Sequence, residues 1–292
     1  MCIILFVSRT LRSEAKHGIG YVTYVMLAYF FGTYVLGVNP LTFASSVVFF
    51  DYLMLEYGAV ITILGAMLGF VYLILAYIYL LPMHVAAYAI GLGWLPSAIL
   101  AKRSEKRASA RVETNRDLLQ TAFGILIILI LLAIDRQRAE FLVASMIMVG
   151  YLMMSYARAF SKGSLAKTLS KLERNGASFG QGALALAVGT FIALGQTNTY
   201  YAIAILSALF LGDSAATIIG MRYGRKKLPW NSKKSYAGSI AYFIAAAVIP
   251  TILLGYVGIA FAAAGALLES FNVWLDDNIL VPIALAILSV LA

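Results

Sequence analysis

Asp213 lies inside an apolar stretch, and beyond it the chain carries Gly220, Gly224 and six cations: Arg222, Arg225, Lys226, Lys227, Lys233 and Lys234. Ser235 and Gly238 then open the next apolar run. A carboxylate in a lipid-spanning segment is costly and ordinarily serves function. Arg contacts phosphate oxygens in bidentate pairs, and Lys supplies a point charge. The combination points to phosphate chemistry at a membrane surface. On a helix through 199–223, Thr217, Gly220 and Gly224 fall four, seven and eleven residues after Asp213, on its own face. That face is small and polar, open to a ligand or to another backbone, and small residues also serve helix packing in membranes. Lys233, Lys234 and Ser235 precede the helix start near Gly238, where free N–H groups favour an anion. A basic loop lying on anionic lipid is the plainer alternative.

A second group of oxygens follows. Glu269 ends one apolar run, and Asp276, Asp277 and Asn278 precede the next. Hard oxygen donors of this kind suit magnesium, held by one or two carboxylates together with substrate phosphates. A solvated acidic turn is the alternative. Asp213 stands open as either a metal ligand or the base for a hydroxyl.

These groups need a scaffold, and composition defines its class. The 292 residues are 62% hydrophobic and 12% charged, with mean hydropathy +0.89. A soluble domain is about 45–50% apolar. Apolar runs of about 17–25 residues predict transmembrane helices. The expected fold is all-α, a polytopic bundle with spans near 18–38, 41–57, 59–81, 83–100, 118–134, 140–157, 179–195, 199–223, 238–254, 256–271 and 279–292. Eleven is the expected number, with nine as a lower bound. Continuous rather than alternating apolar residues exclude a β-barrel.

The cations orient the bundle. Loops 101–117, 158–178 and 220–237 are basic, whereas 135–138 and 196–199 are not. The alternation places the basic loops and the N-terminus in the cytoplasm. It also brings the acidic 274–278 turn to the face of the 220–237 loop, so the expected site is cytoplasmic. The net charge of +9 thus sets topology, and no nucleic-acid partner is expected. The basic linker divides residues 1–110, a four-span block without a nameable motif, from residues 111–292, a seven-span core. Asp51 and Glu56 form either an interfacial pair or a substrate contact. The lone Cys2 excludes an intramolecular disulfide. His17 and His84 are isolated, and neither a Walker A sequence nor a Ser-His-Asp arrangement occurs.

The pattern Gly212-Asp213, Ala216, Gly220, Gly224, Lys234-Ser235 and Gly238-Ser239 resembles the signature of the CTP-dependent polyprenol kinases. The wording LPWNSKKSYAGS, ALLES and DDNILVPI is most similar to the phytol and isoprenol kinase branch. The resemblance spans about 110–292. It implies a membrane kinase that moves the γ-phosphoryl of CTP, with magnesium, to an isoprenoid alcohol such as geranylgeraniol, phytol or a dolichol-like chain. The lipid bilayer would supply the alcohol. It further implies nucleotide contacts from Arg222, Gly224, Arg225, Lys227, Lys233, Lys234, Ser235 and Gly238, and magnesium on Asp213, Glu269, Asp276 and Asp277. Arg116, Glu173, Arg174, Thr217, Gly220 and Asn278 form a second tier. Family members often carry Arg-Lys-x-x-His at the start of this core. Here Arg116 matches, and Asp117 and Gln120 depart. The related CTP:phosphatidate cytidylyltransferases share the Asp-Gly-Lys core and end in a basic, His-containing signature. This chain has no Lys, Arg or His after Lys234, which favours the kinase. A transporter using Asp213 for coupling is a further alternative, disfavoured because the polar residues gather at one edge.

Overall fold

The computed structural model describes residues 73–74, 77–78, 82–100, 110–159, 168–169 and 181–292. The expected spans at 18–38 and 41–57, most of 59–81, and Asp51, Glu56, His17, Glu173 and Arg174 lie outside the described residues. So do positions 101–109, 160–167 and 170–180 of the basic loops.

The described chain is mostly helical. Its helices are α1 (Met83–Leu100), α2 (Ala110–Ala133), α3 (Arg136–Ala159), α4 (Gln181–Leu194), α5 (Thr199–Leu206), α6 (Asp213–Tyr223), α7 (Tyr236–Leu254), α8 (Tyr256–Ser270) and α9 (Asp277–Leu291). These match the last eight expected spans, with α5 and α6 forming one of them. Three helical stretches are long and apolar enough to cross a membrane: Glu113–Ala133, Thr199–Tyr223 and Tyr236–Leu254. Exposed apolar side chains run down one side of α7, at Ile240, Ile244, Val248 and Ile252. Their four-residue spacing makes a single stripe, the surface expected of a helix facing lipid.

Two departures from a regular bundle surround the expected site. Residues Ser207–Gly212 form a π-helical segment that joins α5 to α6. In it the Asp213 amide donates to the carbonyl of Ala208, five residues back. Wide turns of this kind occur mainly as single insertions in α-helices, often at functional sites. The second departure is a short hairpin in a chain that is otherwise mostly helical. Strands β1 (Lys227–Leu228) and β2 (Asn231–Ser235) pair antiparallel, with Lys227 opposite Ser235 and Leu228 opposite Asn231. Pro229 suits the first central position of the connecting turn. Local turn chemistry makes the hairpin, and hydropathy patterning is blind to it.

Packing holds the two ends of the bundle apart. Trp94 of α1 meets Phe191 of α4 edge-on at 5.4 Å and Tyr151 of α3 at 4.4 Å. Gly255 takes φ +61° between α7 and α8, a backbone that glycine adopts without strain. Gly258 then sits directly against the Pro250 carbonyl. At the C-terminal end of α2, Arg136 pairs with buried Glu140 and donates to the Gln196 carbonyl, and Ser289 donates to Gln196 Oε1. The N-terminal half of α2 lies at the other end, against Asp213.

Candidate functional site

Asp213 is the first residue of α6 and stands where the π turn ends. It lines a narrow cleft with Ala208, Leu209, Tyr242, Glu269, Asp277, Asn278 and Val281. Three further elements place these groups. Ser235 caps α7 by accepting from the Gly238 amide at 3.2 Å. Asp276 caps α9 by accepting from the Asn278 amide at 3.0 Å, which turns Asp277 inward. The hairpin is pinned to the end of α8, where Trp230 Nε1 donates to Ser270 Oγ at 3.2 Å and Asn231 Nδ2 to the Ser270 carbonyl at 3.0 Å.

Lys234, carried on β2, is the hub. Its ammonium pairs with Glu269 and, at 3.0 Å, with Asp277. Burial disfavours the charge, yet Asp277, Glu269 and Asp213 outweigh it and hold the ammonium above the ordinary lysine range. Glu269 is buried, and the Lys234 ammonium is its countercharge. Lysine therefore sits between two of the carboxylates expected to ligate magnesium. Among the described residues, no three ligating side chains converge. The donor set fits magnesium only as a chelate that brings its own phosphate oxygens, with one or two carboxylates such as Asp213 and Asp276 added.

The glycines have packing work. A Cβ on Gly224 would collide with the Gly220 carbonyl and the Ser235 side chain. One on Gly238 would press on the Ala216 carbonyl at 3.0 Å. Gly220 faces Ser235 and Gly238 in turn. The small face at Gly220 and Gly224 thus receives the start of α7. Ser235 is buried at this crossing, with its oxygen engaged as the cap. The Gly238 amide is consequently not a free anion donor, and the Tyr236 amide donates to the Lys226 carbonyl. Thr217 is half-buried on α6. Arg222, Arg225, Lys227 and Lys233 are exposed, with Arg222 over the Tyr223 ring, and none of them lines the cleft. Glu173 and Arg174 lie outside the described residues.

Several site residues were not foreseen. Gln120, a departure from the family pattern, donates to Asp213 Oδ2 at 3.3 Å and to the Leu209 carbonyl at 3.4 Å. That carbonyl would take the Asp213 amide in a regular helix, and the π turn has diverted the amide to Ala208. Arg116 pairs with buried Glu113 at 2.8 Å, beside the site rather than in the cleft. Tyr242 is buried with no partner for its hydroxyl. Its ring fits because Gly212 and Gly265 leave room: a Cβ on either would come within 2.9 or 3.0 Å of the tyrosine. Gly212, the first residue of the Gly-Asp pair, is therefore required by a side chain on α7. An unpaired buried hydroxyl costs stability. Tyr242→Phe is expected to leave the melting temperature unchanged or higher, because the hydroxyl makes no hydrogen bond that could be lost. A marked fall in melting temperature in detergent would show that the hydroxyl is engaged.

A helical membrane protein with an acidic cleft and one embedded lysine at the bundle edge is the class that fold and site define. The chain is 38% identical over 97 residues to a probable chloroplastic phytol kinase 2 of Glycine max, covering 27% of this chain and 33% of that one. It is 54% identical over 39 residues to a chloroplastic farnesol kinase of Arabidopsis thaliana, 13% of each. It is 30% identical over 177 residues to an uncharacterized protein of Methanocaldococcus jannaschii, 60% of this chain and 91% of the relative. No family model and no solved structure matches. The named kinases among these relatives are similar to this chain over a part of its length. It spans about a third of the length of the plant phytol kinases it matches.

Proposed function

We propose that the protein is an integral-membrane kinase that transfers the γ-phosphoryl of CTP to the hydroxyl of an isoprenoid alcohol, releasing CDP and the polyprenyl monophosphate. The observation that carries the proposal is Asp213 at the π turn, sharing a cleft with the Glu269 and Asp277 that Lys234 bridges. Phosphoryl transfer asks a protein chiefly for positioning and charge neutralisation. A long alcohol can lie in the bilayer with its hydroxyl at the interface beside Asp213. The exposed Arg222, Arg225, Lys227 and Lys233, on the segment that carries Lys234, would supply the cations for a triphosphate. Magnesium, bound through the nucleotide, would neutralise phosphate charge near Asp213 and Asp276. The proposal includes a bundle of about eleven spans, with the N-terminus and the cleft on the cytoplasmic side. The names of the phytol and farnesol kinases support the alcohol. CTP as donor and magnesium as metal rest on the family resemblance.

The decisive assay uses purified protein, magnesium and a panel of geranylgeraniol, phytol, dolichol and diacylglycerol. Label from the γ-phosphate of CTP is expected in a lipid monophosphate. Label from the α-phosphate in lipid, with pyrophosphate released, would replace the kinase by a cytidylyltransferase.

A further inference from the structure

Asp213 has two unlike flanks. On one side stand Lys234 and the cationic hairpin. On the other stands α2, which presents Glu113, Asp117 and Gln120. Asp117 is 0% exposed, and its Oδ2 has no hydrogen-bond partner. Its Oδ1 has only a long 3.5 Å contact from Arg116, whose better bond is to Glu113 at 2.8 Å. The backbone around Asp117 is held firmly: its carbonyl accepts from Ser214 Oγ at 3.1 Å and from Thr121 Oγ1 at 2.8 Å. Ser214 follows Asp213 directly, and Gln120, one turn along α2, reaches Asp213 itself. The Ser214 and Gln120 bonds thus hold α2 beside the start of α6.

A buried carboxylate oxygen without a donor is expensive, and a bound donor would relieve the cost. A phosphate cannot be that ligand, because it is an acceptor and an anion. A hydroxyl is a donor without charge. The neighbouring Leu118 and Leu119 are 55% and 58% exposed and belong to the apolar exterior of α2, so the acceptor stands just behind a lipid-facing surface. We propose that Asp117 Oδ2 accepts the hydrogen bond of the membrane alcohol's hydroxyl and positions it beside Asp213, leaving the Lys234 flank to the nucleotide. This assignment rests on the kinase reading above. It makes a departure from the family pattern a substrate contact of this chain.

The test is full-length Asp117→Ala with geranylgeraniol and CTP. The KM for the alcohol is expected to rise at least about tenfold, with the KM for nucleotide within about twofold, the split that a purely structural defect would not give. A second comparison covers a variant that fails to fold. Wild-type protein should bind geranylgeraniol at least about tenfold more tightly than its methyl ether, which cannot donate. Equal affinity for the two ligands, or an alcohol KM unmoved in Asp117→Ala, overturns the inference while wild-type phosphorylation upholds the kinase reading. Absence of phosphorylation of every alcohol by wild-type protein overturns both.

Discussion

Asp213→Asn is expected to lower turnover at least about 10²-fold, the lower range for loss of a general base, in a protein that still folds. Asparagine keeps the size of aspartate and an oxygen that can accept the Gln120 amide now 3.3 Å from Oδ2. The π turn depends on the Asp213 backbone amide, which the substitution leaves in place. What disappears is the charge next to Lys234. Unaltered elution and melting temperature in detergent, together with lost transfer of γ-label, is the predicted pair of results. Near-normal turnover would make Asp213 a packing residue and move the reaction centre toward Glu269 and Asp277.

The second large effect falls on stability as well as chemistry. Lys234→Met would leave buried Glu269 and half-buried Asp277 facing each other without their shared cation. Removing one partner from a buried ion pair costs about 3–5 kcal/mol. A marked fall in melting temperature is expected, together with loss of phosphorylation. Adding Glu269→Gln should recover much of the stability, because the stranded charge is removed, without recovering activity. Recovery of both would deny Lys234 any contact with the nucleotide. The pair also predicts a pH response. The folded ammonium titrates above the unfolded lysine value of about 10.4. Its contribution is thus complete below that value and is lost only as pH rises through the higher folded value. The stability gap between wild type and Lys234→Met should accordingly hold from pH 7 to about pH 10.

Conformations tied to local chemistry were legible from the residues. Apolar length marked the described helices to within a few positions, except that α2 begins eight residues before its expected span, since burying backbone polar groups in lipid leaves a helix as the economical form of a long apolar run. The same-face arithmetic for Asp213 and Gly220 falls within α6, which is regular after the π turn, and Gly224 is its C-terminal cap. Its outcome is different: the face takes the start of α7, so these small residues close a helix crossing. Ser235 was expected beside a phosphate and serves as the cap of that helix.

By itself, the sequence determined a helical membrane bundle and the presence at its edge of an aspartate, a lysine and an acidic turn. Hydropathy and charge are additive along a chain, so they survive without knowledge of neighbours. Only the tertiary structure decided which charges meet. Lys234 closes on Glu269, 35 positions away, because Asn231 and Trp230 dock the hairpin on Ser270. Gln120 and Asp117 enter the site because α2 lies against the π turn, 93 positions from Gln120 to Asp213. The π turn itself appears only when the diverted Asp213 amide and its Ala208 partner are seen together. Such pairings depend on how helices cross, and one-dimensional spacing carries no record of a crossing.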